Sequence, residues 1–125
     1  MILLNEPNIK NNSKKYISDC LNTNWVSTSG LYIQKFRQEI KNFTNSKYVT
    51  LTNSGSSALH LALKVAGVDK NTEVICPSMT FIAPINAIIY CGGSPIFFDC
   101  DENHNLKIND VVNFLEKRTQ LKRGK

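Results

Sequence analysis

Three short stretches hold the residues whose types and spacing could do chemistry: Asn53-Ser54-Gly55-Ser56-Ser57, Pro77-Ser78-Met79-Thr80-Phe81 and Asp99-Cys100-Asp101. In the first, a glycine among serines leaves the backbone bare at the start of a helical apolar pattern. Free N–H groups and the positive end of a helix dipole can hold a phosphate there. The same residue types also cap an ordinary strand-to-helix turn, so this stretch alone leaves both readings open. A phosphate on the first stretch, an aromatic ring on the second and carboxylates on the third would suit a phosphorylated, planar, polar ligand. The chain has no Gly-x-Gly-x-x-Gly and no Gly-x-x-x-x-Gly-Lys-Ser/Thr, which argues against dinucleotide and P-loop sites. His60 and His104 lack a nucleophile, base and orienter arrangement and read as structural or solvated. Cys20, Cys76, Cys91 and Cys100 form no Cys-x-x-Cys pair and have no histidine at ligand spacing, so reduced thiols and no metal site are expected.

The elements that must position these stretches follow from periodicity. A helix is expected from Ser13, its cap, to Leu21, with Tyr16, Ile17, Cys20 and Leu21 on one face. Asn22-Thr23-Asn24 ends it, and Trp25-Val26-Ser27-Thr28-Ser29-Gly30 reads as a small-polar loop carrying the only tryptophan. Leu31 to Phe43 has Phe36, Ile40 and Phe43 on one helical stripe. Strands are expected at Lys47–Leu51, Glu73–Cys76 and Pro95–Asp99, with helices at Ser56–Ala66, Ile82–Tyr90 and Ile108–Leu115. Gly67 stops the first of these helices, and Pro84 fits the first turn of the second. The order βαβαβα implies an α/β fold: three layers, a mostly parallel sheet with right-handed crossovers and flanking helices. Ligands of such sheets sit beyond the carboxyl ends of the strands, where all three chemistry-bearing stretches fall.

At 125 residues, 42% hydrophobic and 20% charged, the chain has the makeup of one globular domain. Its apolar runs are too short to span a membrane, and its first residues lack the basic and apolar regions of a signal peptide, so a cytoplasmic location is expected. The net charge of +5 is uneven. Charges balance through residue 116, and the excess lies on Lys117, Arg118, Lys122, Arg123 and Lys125. That is a basic chain end rather than a stripe on a folded face, which disfavours nucleic acid as a partner.

Three runs together carry a resemblance: Asn53-Ser54-Gly55-Ser56-Ser57-Ala58-Leu59-His60-Leu61-Ala62-Leu63, Glu73-Val74-Ile75-Cys76-Pro77-Ser78-Met79-Thr80-Phe81-Ile82-Ala83, and Pro95-Ile96-Phe97-Phe98-Asp99-Cys100-Asp101. With Asn5-Glu6-Pro7 and Trp25-Val26-Ser27-Thr28-Ser29-Gly30 before them, residues 3–115 resemble the N-terminal third of the pyridoxal-phosphate-dependent sugar aminotransferases of the DegT/DnrJ/EryC1/StrS family. The resemblance implies a fold-type I enzyme, homodimeric, that moves an amino group from glutamate to a nucleotide-linked keto-deoxy sugar. It assigns Ser56 and Ser57 to the phosphate of pyridoxal 5'-phosphate and Phe81 to stacking on the cofactor ring. It assigns Asn24, Trp25, Val26 and Ser27 to the sugar nucleotide. Asn5-Glu6-Pro7-Asn8 with Trp25-Val26-Ser27 leans towards acetamido-keto-hexose nucleotides.

The family's Schiff-base lysine and the aspartate paired with its pyridinium nitrogen have no counterpart here, so the lysine is expected beyond residue 125 and no catalytic residue is assigned. The chain then reads as the incomplete large domain of the family fold. Residues 1–46 form a helical N-terminal segment, 47–116 the βαβαβα part and 117–125 the basic end, inactive alone. In that fold the first strand lies apart from the next two, so Lys47–Leu51 should lack neighbours and the isolated chain should be weakly folded or aggregation-prone. Two other readings compete: a stand-alone, non-catalytic phosphate-binding α/β module, and a basic interaction protein acting through its tail.

Overall fold

Helical periodicity accounts for both elements of the first unit, Met1–Leu51, in a computed structural model that describes residues 5–9 and 12–120. Helix α1 spans Ser13–Asn22 and α2 spans Leu31–Thr44. The cap of α1 is Asn12 rather than Ser13, because the amide of Tyr16 already bonds the Asn12 carbonyl at 3.0 Å and so draws the first turn back one residue. The end of α1 is a Schellman turn: Trp25 N–H reaches Cys20 O at 2.9 Å, Asn24 N–H reaches Leu21 O at 3.2 Å, and Asn24 takes φ 58°. Tyr32 ties the helices together, its ring 5.0 Å from that of Tyr16 and its hydroxyl donating to Asp19 Oδ2 at 3.0 Å. Neither helix has a buried residue, and Phe43 is 89% exposed.

The strand expected at Lys47–Leu51 is absent. Residues 48–51 have no strand partner, although Tyr48 and Thr50 are exposed and Val49 and Leu51 half-buried, the period-two alternation that suggested a strand. Alternation disposes side chains to two faces, but a strand exists only when its N–H and C=O groups pair with another chain segment. The described residues offer none.

The second unit, Thr52–Lys125, is built on a parallel pair. Its elements are α3 (Gly55–Val65), β1 (Glu73–Pro77), α4 (Ile82–Tyr90), β2 (Ser94–Phe98) and α5 (Ile108–Arg118). Strands β1 and β2 pair in parallel from Glu73 with Ser94 to Pro77 with Phe98, and α4 is the crossover between them. The α/β architecture with a parallel sheet and flanking helices is the expected one, with two strands among the described residues instead of three.

Apolar residues of β1 and α4 make the core, in which Cys76, Ile85 and Ile88 cluster with Leu63 and Val74. Helix α4 reaches β2 through a tight turn. A Cβ on Gly93 would lie 2.8 Å from Val68 Cγ1 and 3.2 Å from the Thr72 carbonyl, so only glycine lets the chain pass there. No described helix is long and apolar enough to cross a membrane.

Candidate functional site

The first turn of α3 is a cap with unused capacity. Ser54 Oγ accepts the amide of Ser57 at 3.2 Å, and Ala58 N–H bonds the Ser54 carbonyl at 3.1 Å. The amides of Gly55 and Ser56 have no partner among the described residues, nor does the Ser56 hydroxyl. The Ser57 hydroxyl donates to Asn53 Oδ1 at 3.0 Å and lies 3.0 Å from Ser54 Oγ. A Cβ added to Gly55 would meet nothing within 4 Å, and its φ lies outside the positive range where glycine is favoured. Neither packing nor backbone strain inside the chain therefore calls for glycine at this position. A bare backbone beside two free amides and a hydroxyl is the arrangement an anion can occupy.

The first turn of α4 stands beside this cradle. A cavity of about 160 Å³ between α3 and α4 is lined by Ser56 together with Ile82, Ala83, Asn86, Ala87 and Tyr90. Phe81, the residue before Ile82, holds the N-cap position of α4 in extended backbone and is 88% exposed. Strand β1 ends at Pro77 and delivers Ser78 to Phe81, with Ser78 N–H bonded to the Phe98 carbonyl at 2.8 Å. Phe81 does not line the Ser56 cavity: with Met79 and Thr80 it borders a separate, open one, where an aromatic that nothing covers can meet a flat ring.

Asp99 and Asp101 have local work. Asp99 Oδ1 accepts the amide of Cys100 at 2.8 Å, and Asp101 Oδ1 accepts those of Asn103 and Asn105 at 2.9 Å each. His60 is half-buried with its ring edge-on to Tyr90, 5.9 Å between centroids, and its Nε2 has no partner among the described residues. The four cysteines are free, and no His/Cys/Asp/Glu group among the described residues could hold a metal.

The loop after α1 divides its residues. Trp25 and Ser27 line a cavity of about 330 Å³, whereas Val26 lines a separate apolar groove between α1 and α2. Asn24 lines neither, and is the left-handed residue of the Schellman turn. Gly30, at φ 137°, lets the tryptophan settle: a Cβ there would stand 3.3 Å from that of Trp25. Sequence reasoning missed Asp19, Ser29 and Tyr32, which share the cavity with Trp25 and Ser27. The hydrogen bond to the Asp19 carboxylate holds the Tyr32 hydroxyl proton on, raising its pKa above the ordinary 10.0. That pair joins two helices across thirteen positions, a relationship no local pattern announces.

Comparison with known proteins bears on these sites. The description "DegT/DnrJ/EryC1/StrS aminotransferase family" matches residues 7–122. A GDP-perosamine synthase of Vibrio cholerae is 36% identical over 121 residues, covering 96% of this chain and 33% of the relative. One from Escherichia coli O157:H7 is 37% identical over 116 residues, covering 92% of this chain and 32% of the relative. The chain thus spans about a third of the length of these curated relatives. A putative sugar aminotransferase from Streptococcus pneumoniae, solved in its PLP form, superposes with a TM-score of 0.81. It is 24% identical, with 90% of this chain and 29% of that one covered, a likeness of fold.

Proposed function

We propose, because this chain belongs to the DegT/DnrJ/EryC1/StrS aminotransferase family, that it supplies part of the binding site of a pyridoxal-phosphate-dependent sugar aminotransferase. The whole enzyme's reaction on this reading is transfer of an amino group from glutamate to a nucleotide-linked keto-deoxy sugar, in a cytoplasmic homodimer. The names of the relatives favour a GDP-linked sugar over the acetamido-hexose nucleotides towards which the opening residues lean. Residues 1–125 form the first part of the large domain.

The observation that carries this reading is the cradle at α3. Gly55 N–H, Ser56 N–H and the Ser56 hydroxyl, all without partners among the described residues, bind the cofactor phosphate. Ser57 contributes its hydroxyl once it turns from Asn53, and the α3 dipole favours the dianion. Phe81 covers one face of the pyridine ring and excludes water from it. Pyridoxal phosphate supplies an electron sink for the amino-group carbon, chemistry that belongs to the cofactor. Asn24, Trp25, Val26 and Ser27 face the sugar nucleotide, with Trp25 and Ser27 making the direct contacts and Asn24 shaping the loop. No lysine of these 125 residues stands in a matching motif for the cofactor-anchoring role, so the chain on its own binds and does not turn over.

Titration of the isotope-labelled chain with pyridoxamine phosphate tests the reading by NMR. Shifts confined to the amides of Gly55, Ser56 and Ser57 and to the Phe81 ring are expected, and they should disappear in Ser56→Ala/Ser57→Ala. Absence of shifts, or shifts that survive the double variant, would overturn it. Borohydride treatment with pyridoxal phosphate should trap no adduct at a single lysine.

A further inference from the structure

The cavity beside Trp25 has a chemical character of its own. Three residues of its lining carry a polar group without a partner among the described residues: Ser27 and Ser29 through their hydroxyls, and Asp19 through Oδ1. Asp19 is half-buried and its other oxygen, Oδ2, is taken by Tyr32. A carboxylate accepts up to about four hydrogen bonds, so the free oxygen retains most of its capacity. The wall around these groups is apolar and aromatic, with Trp25, Leu31 and Ile33 in it. No lysine, arginine or histidine lines it. A diphosphate would meet a carboxylate and no cation there, an unfavourable pairing at such range. A neutral ring with hydroxyl donors on its rim and C–H bonds on its faces meets the opposite: an acceptor, two hydroxyls and an indole.

We propose that this cavity is the hexopyranose subsite of the sugar-nucleotide site, in which Asp19 accepts hydrogen bonds from ring hydroxyls and Tyr32 is the positioning residue that fixes its carboxylate. The proposal rests on the nucleotide-sugar reading above and adds to it which moiety enters, and through which residues. The sugar's C–H face lies on Trp25, its hydroxyls donate to Asp19 Oδ1 and exchange hydrogen bonds with Ser27 and Ser29, and the nucleotide stays outside. Tyr32 acts through Asp19. It spends its donor on Oδ2 and its ring packs at a tilt against that of Tyr16, so the free oxygen is held in one orientation.

Trp25 is the only tryptophan, so its emission reports this cavity alone. The full chain is titrated with GDP-mannose and with GDP, by Trp25 fluorescence and by calorimetry, as wild type, Asp19→Asn and Tyr32→Phe. Circular dichroism confirms that each variant keeps the wild-type helix content. GDP-mannose should change Trp25 emission and bind about ten-fold more tightly than GDP, as one added charge-assisted hydrogen bond allows. Each variant should lose about that factor for GDP-mannose and none for GDP, a selectivity change that a merely structural role would not produce. Equal affinity of wild type for both ligands, unmoved by either variant, would overturn the subsite and leave the nucleotide-sugar reading standing. Binding of neither ligand would overturn the subsite together with the sugar-nucleotide part of that reading, while cofactor binding at Ser56 and Ser57 is tested independently by the pyridoxamine phosphate titration.

Discussion

Ser54 Oγ sits 3.2 Å from the amide of Ser57 and 3.0 Å from its hydroxyl, so one side chain both caps α3 and engages a proposed phosphate ligand. Cap and cradle are separable by substitution. Ser54→Ala removes the cap and should cost about 1 kcal/mol of stability. The Ser56 hydroxyl makes no hydrogen bond among the described residues, so Ser56→Ala should leave stability within about 0.5 kcal/mol of wild type while weakening pyridoxamine phosphate binding. Thermal unfolding and the NMR titration read the two effects independently. Equal destabilisation by both substitutions would mean that Ser56 is also part of the fold.

Gly93 is where the second unit has least room. Its Cα faces Val68 Cγ1, the Thr72 carbonyl and Ile88 Cγ2, all inside ordinary contact distance of an added methyl. The Thr72 carbonyl cannot retreat freely, because it accepts the Ser94 amide at 2.9 Å and so extends the β1–β2 ladder. Gly93→Ala should therefore destabilise by about 1–3 kcal/mol, against a few tenths for a substitution at an open surface position. Chemical denaturation of the two proteins under one condition measures the difference.

The contrast between α3 and residues 48–51 shows what local sequence can and cannot specify. Ser54, Gly55 and the apolar spacing up to Val65 determine a helix start through contacts within four residues, and Gly67 ends it in a Schellman turn, Val68 N–H to Leu63 O at 3.0 Å. Tyr48 to Leu51 has the alternation of a strand, but its pairing depends on a segment elsewhere. Site residues divide in the same way. Ser56, Ser57 and Phe81 lie at the ends of regular elements, where motif and geometry coincide. Asp19 and Tyr32 meet only because the turn at Asn24 and the glycine at Gly30 fold α2 back towards α1.

The Asp19–Tyr32 bond gives the first unit a dependence on pH. Its folded-state Tyr32 pKa is raised, chiefly by the hydrogen bond to Asp19, with burial adding to it. A raised folded pKa means that the contribution is fully present below the unfolded value of 10.0 and is lost as pH rises through the folded value. Wild type should be more stable than Tyr32→Phe near neutral pH, and that advantage should shrink as the pH rises through the raised folded-state value. Urea midpoints of the two proteins at neutral pH and across the alkaline range provide the test. A constant gap across this range would show that the phenol is not bonded to a carboxylate in solution.

Large apolar side chains on most helices remain open to solvent: Phe36 at 56%, Phe43 at 89%, Val65 at 82% and Ile82 at 68% exposed. Among the described residues the buried apolar set is seven, five of them in or directly beside β1 and α4. Burial of apolar area is the main favourable contribution to folding, and the urea m-value scales with the area that unfolding exposes. This chain should accordingly unfold in urea with an m-value below about 1 kcal/mol/M, under the usual range for small proteins. It should also bind a hydrophobic dye in the absence of urea and self-associate as concentration rises. Light scattering, dye fluorescence and a urea titration on one preparation measure all three. A monomer with no dye binding and the m-value of a fully packed 125-residue domain would show that these faces are covered in solution in a way the structure does not contain.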